Sequence, residues 1–93
     1  MPDADQPRNL IGLAVQKLRL EHGWSQTMLA TKCQLVGWDI SRSIVAAIEG
    51  RVRWVGDWET LLLARIFEVP VNVLFPAKVD WQEFKIPPHP KLK

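Results

Sequence analysis

Cysteine is nearly absent: Cys33 stands alone among 93 residues. A single thiol builds no internal disulfide framework and leaves too few thiolates for a cysteine-built zinc site. No apolar run approaches the ~18–20 residues a membrane span needs. The opening segment MPDADQPRN is acidic and carries prolines, so it does not read as a secretion signal. A reduced, cytoplasmic setting is expected. His22 and His89 lie far apart, with no Cys, Asp or Glu at ligand spacing, so no metal site is expected. There is no glycine-rich phosphate loop and no nucleophile elbow. Cys33, His22 and Asp39 share no spacing that would make them a triad, and Cys33 falls on the apolar face of a helix, where a core role is expected. Neither an enzyme nor a cofactor or small-molecule site is expected.

What is present is enough to fold. A hydrophobic fraction of 47% in a chain of this length suits one domain with one modest core. Net charge is only +2. Residues 1–7 carry two acids and no base. Residues 8–75 carry eight Lys/Arg against six Asp/Glu, and residues 76–93 carry four lysines against two acids. That balance permits a nucleic-acid partner without requiring one.

Five short helices are expected. The first runs from Asn9, a capping residue, to His22, with Leu10, Ala14, Val15 and Leu18 at helical spacing and Gly23 as the stop. Ser25 caps a second helix through Leu29, Ala30, Cys33 and Gln34, ended by Gly37. Ser41 caps a third, ISRSIVAAIEG, which runs to about Glu49 before Gly50. Arg51 to Gly56 reads as a loop. Asp57 caps the fourth helix, which Pro70 ends, and Val71 to Phe75 is a short fifth helix or helical turn. The chain therefore divides into a flexible arm over 1–8, an all-α domain over 9–75, and a proline- and lysine-containing tail over 76–93. Disorder is the default for that tail, with Trp81 and Phe84 partly holding it down.

The starts of helices two and three carry the functional signal. A helix N-terminus offers unpaired N–H groups and a partial positive charge, which together suit phosphate. Ser25-Gln26 and Ser41-Arg42-Ser43 occupy these places. On helix three, Val45 and Ile48 point inward, while Arg42, Ser43, Ala46 and Ala47 face the other way. Arg42 is the side chain able to read guanine bidentately, and small residues beside it allow close approach to base edges. Read as bare local chemistry, the same residues also describe a capped and solvated turn.

In order, these features resemble the lambda-repressor/Cro-like (XRE-type) helix-turn-helix family of prokaryotic and phage regulators. The resemblance covers about residues 9–75. It rests on Gln26 with Leu29 and Ala30, on Gly37, Ile40 and Ser41, on Ile48-Glu49-Gly50, and on the closing stretches Leu61 to Leu63 and Val71 to Phe75. It implies a compact five-helix domain that binds double-stranded DNA, commonly as a homodimer, and regulates transcription. It implies base contacts from Arg42, Ser43, Ala46 and Ala47. Phosphate contacts would come from Ser25, Gln26 and Ser41, and from Arg51 and Arg53 beside the flanking backbone. It also implies an ion pair between Arg19 and Glu49, which agrees with the poor fit of an acid at a helix C-terminus. Gln26 stands eleven positions before Gly37, and Gly37 four before Ser41. Both intervals exceed the family's usual ones, so the likeness is to a subgroup with an enlarged turn between helices two and three.

Five tryptophans are many for this length. Trp24 is expected to pack, and one of Trp54 and Trp58 to sit at the junction of helices three and four. Trp38, in the extra turn, is expected to be half exposed and available for a dimer contact. The low charge, sparse reading face and many tryptophans also fit a rival, a protein-interaction module of the same fold that has lost DNA binding.

Overall fold

The computed structural model describes residues 6–85. Residues 1–5 of the expected arm and 86–93 of the tail, with Pro87-Pro88-His89-Pro90, lie outside the described residues.

Four α-helices form the domain, not five: α1 Gly12–Glu21, α2 Gln26–Leu35, α3 Arg42–Glu49 and α4 Asp57–Phe67. The expected fifth helix is a single 3₁₀ turn, Val71–Leu74, and a second such turn, Trp81–Phe84, follows in the tail. Pro70 and Pro76 bracket the first of these too closely for an α-helix to develop. No strand occurs among the described residues. α3 packs against α2 and α1, and α4 against α1, α2 and the Val71–Leu74 turn.

The core is continuous. Ile11, Val15 and Leu18 meet Leu29, Ala30 and Cys33, then Val45 and Ile48, then Leu63, Phe67 and Leu74. Burial pushes the Cys33 thiol up to about 11, so it stays an uncharged core group. Trp24 is half buried and stacks on Phe67 at 5.7 Å, with Lys32 Nζ 4.3 Å above its ring. Among the described residues every buried side-chain nitrogen or oxygen has a partner.

Several local expectations need correction. α1 begins at Gly12 rather than Asn9. Asn9 lies just ahead of it, buried, and its Oδ1 accepts from the Ile11 and Gly12 N–H groups at 3.1 and 2.8 Å. α4 is capped at Gly56, not Asp57: the Glu59 carboxylate reaches back to accept the Gly56 N–H at 2.9 Å. α3 ends at Glu49, as expected. Gly50 stays helical at φ −78°, and Arg51 takes the left-handed position at φ 59°. Ahead of α1, Pro7 is buried, and the Arg8 N–H donates to the Arg51 carbonyl at 2.9 Å.

Trp38 departs most from its expectation. It is 6% exposed, not half exposed, and its ring meets Trp58 edge-on at 5.8 Å. The turn between α2 and α3 thus places its aromatic in the core. Ile40 is buried beside it, and Gln34 Nε2 closes the turn by donating to the Ile40 carbonyl at 2.7 Å. Trp54 and Trp58 both remain exposed, so neither is buried at the α3–α4 junction.

Candidate nucleic-acid interface

The face that α3 offers outward follows from its short period. Val45 and Ile48, three apart, are each 1% exposed and fix the inner side. Arg42 and Ser43 then fall on the opposite side of the first turn, and both are exposed. Arg42 has no carboxylate partner among the described residues. Ala46 and Ala47 are half buried one turn on, so they offer methyl groups and no long side chain. Ser41 Oγ accepts the Ile44 N–H at 3.3 Å and holds the helix start open toward solvent.

α2 opens in the same way. Ser25 Oγ accepts the Met28 N–H at 3.0 Å, and Ser25 is exposed. Gln26, the first residue of α2, lies across from the far end of α3, where its Nε2 donates to Glu49 Oε1 at 3.2 Å. The start of α2 therefore sits by the C-terminal end of α3. The loop carrying Arg51 and Arg53 leaves from that same end. Of the residues expected to meet bases, Arg42 and Ser43 stand at the front of α3 and Ala46 and Ala47 one turn on, while most of those expected to meet phosphate lie by its back.

Glu49 organises the back. Arg19 Nε donates to its Oε2 at 2.6 Å and Arg19 Nη2 to its Oε1 at 3.0 Å, and both residues are buried. Arg19 Nη1 also donates to the Trp24 carbonyl at 2.8 Å, which ties α1 to the entry of α2. The hydrogen bond with Glu49 pushes the Arg19 guanidinium further up, burial works against this, and the Glu49 charge adds to the rise, so Arg19 stays charged. One carboxylate therefore fixes α1, α2 and α3 relative to one another.

The loop arginines are both engaged. Arg53 forks onto Glu59, Nη1 to Oε1 at 3.1 Å and Nη2 to Oε2 at 3.3 Å, and Nη1 also donates to the Trp54 carbonyl. Partial burial works to raise the Glu59 carboxyl. The hydrogen bonds from Arg53 and the Gly56 N–H, with the Arg53 charge, outweigh it and hold the group below its ordinary range. Arg51 Nη2 lies 3.2 Å from Glu83 Oε2, a carboxylate of the tail.

Two contributors have only weak sequence signals. Asn9 Nδ2 donates to the Ile48 carbonyl at 3.1 Å and to the Arg53 carbonyl at 3.0 Å, so one amide pins the end of α3 and the loop after it. Its residue type reads as a cap, and nothing nearby in sequence announces the long-range half of its work. Gly12 allows the start of α1 to lie against the end of α3: a Cβ there would come 2.3 Å from the Ile48 carbonyl oxygen. The signal was a glycine inside an otherwise helical pattern, which costs about 1 kcal/mol unless close approach needs it.

Among the described residues no group of three or more His, Cys, Asp or Glu could hold a metal, and no helix is long and apolar enough to cross a membrane. No family model matches the chain, and no curated protein matches it. Among solved structures, the crystal structure of the DNA-binding domain of BldD is similar at a TM-score of 0.62 and 20% identity, covering 80% of this chain and 99% of that one. At that identity the likeness is one of fold.

Proposed function

We propose that this protein is a DNA-binding transcriptional regulator of the lambda-repressor/Cro-like type with an enlarged turn, acting through α3 in the major groove. The observation that carries the reading is the leading turn of α3, where Arg42 and Ser43 stand exposed opposite the buried Val45 and Ile48. Arg42 reads guanine, Ser43 and the methyls of Ala46 and Ala47 meet neighbouring base edges, and the starts of α2 and α3 at Ser25, Gln26 and Ser41 meet phosphate. Arg51 and Arg53 hold the flanking backbone. The fold likeness to the DNA-binding domain of BldD supports the same reading. Two copies on paired half-sites complete the assembly.

Selection of bound sequences from a random duplex pool supplies the site for the test. On that site Arg42→Ala should lose about 1–3 kcal/mol, with a much smaller loss on random duplex. Equal losses on every sequence would take Arg42 out of base reading. A second reading, a protein-interaction module that has lost DNA, draws on one observation: both loop arginines are already paired with carboxylates. A gel shift on random duplex at low salt separates the two, because nonspecific affinity is mainly electrostatic and a module without it leaves the duplex unshifted.

A further inference from the structure

The two loop arginines meet carboxylates of different standing. Glu59 belongs to α4, makes two hydrogen bonds with Arg53, and also accepts the Gly56 N–H, so this pair is built into the domain. Glu83 belongs to the tail and meets Arg51 through Nη2 alone, with both side chains partly open to water. It reaches Arg51 because the chain after Pro76 turns back along α1. Val79 and Phe84 line one side of a cavity of about 440 Å³, facing Leu10, Leu13 and Val73. Gln6 Nε2 donates to the Phe84 carbonyl, and Trp81 leans on the Phe84 ring at 6.1 Å. No residue from 77 to 85 is buried. The segment is thus held by half-buried side chains and by surface contacts, the Gln6 amide and the Arg51–Glu83 pair among them, and lifting it removes nothing from the core.

We propose that residues 77–85 form a displaceable strap that keeps Arg51 on Glu83 until a backbone phosphate takes the carboxylate's place. The inference rests on the DNA-binding reading above. A backbone phosphate offers guanidinium the same forked acceptor and the same single charge that a carboxylate does. Strap and DNA then compete for one side chain, and each weakens the other's hold by the same factor.

The test uses the full chain and a random-sequence duplex, with affinity read by fluorescence anisotropy at fixed salt. Glu83→Gln should bind about two- to five-fold tighter than wild type, the range a partly exposed ion pair supplies. Glu68→Gln removes an equal charge from the exposed end of α4 and serves as the control. In an Arg51→Gln background the gain from Glu83→Gln should vanish. A gain equal to that of Glu68→Gln, or one that survives Arg51→Gln, overturns the strap. Duplex binding that Glu83→Gln leaves unchanged removes the strap alone. If neither wild type nor Glu83→Gln binds duplex at low salt, the DNA reading fails and takes the strap with it.

Discussion

Glu49 occupies a poor place for a carboxylate, the last turn of a helix, where the macrodipole is negative. It is kept there by three donors, Arg19 Nε, Arg19 Nη2 and Gln26 Nε2. Removing the cation alone leaves the acid buried and uncompensated. Arg19→Met should therefore cost about 3–5 kcal/mol in urea unfolding, while Arg19→Met with Glu49→Leu should recover much of that loss. A single-variant cost below ~1 kcal/mol, the surface range, would show that water reaches the pair. Glu59 gives a pH-dependent counterpart. Its carboxyl is held below the ordinary range, so its contribution is present above the unfolded-state value and disappears as pH falls through the lower folded value. The stability gap between wild type and Glu59→Gln should accordingly be widest above the ordinary carboxylate range and close as pH falls through the lower folded value. A gap independent of pH would detach it from the Arg53 pairing.

At the scale of elements, α1 and α3 meet through a missing side chain. With a Cβ at Gly12 only 2.3 Å from the Ile48 carbonyl oxygen, the neighbour that must move is backbone. Gly12→Ala gains helix propensity in α1 yet should destabilise by about 3 kcal/mol, since separating two packed helices outweighs a propensity gain of about 1 kcal/mol. Thermal melting checks the sign; a stabilised variant would mean that the two helices part without cost. The turn between α2 and α3 follows a different logic. Gly37 takes φ +96°, open to a glycine, and the residues after it drop Trp38 and Ile40 into the core. The connection is therefore fastened at its middle, and α3 keeps a fixed attitude toward α2.

For the whole molecule, the charge available to DNA is small. On the proposed reading, serine caps and backbone N–H groups would meet phosphate without releasing counterions, and the salt dependence would fall to the arginines. If Arg51 and Arg53 each neutralise one phosphate, the slope of log affinity against log salt is about −2 per copy and about −4 for two copies on one site. Measuring that slope on the selected site, with the mass of the complex from sedimentation, tests the paired arrangement. A slope near −2 with one copy bound would remove the homodimer from the proposal. Replacing Arg53 by alanine should weaken binding to all sequences alike and make the slope shallower by about 1.

The positions of the helices were legible in the sequence because their signals are local. Serine caps at Ser25 and Ser41, turn glycines at Gly23 and Gly37, and the apolar spacing of Val45 and Ile48 act within one or two turns of chain. That Glu49 needs a cation was legible too, since an acid at a helix C-terminus is disfavoured, whereas Arg19 as that cation was only what the family resemblance implied. Tertiary structure decided what depends on residues far apart in the chain. Asn9 serves the end of α3 as well as the start of α1, and Trp38 packs inward because the turn between α2 and α3 leaves it a place. Arg51 is met by a tail carboxylate 32 positions away. Periodicity and capping fix where a helix begins and which side it buries. Which cation an acid meets, and whether an arginine stands free, is set by the folding of distant segments onto one another.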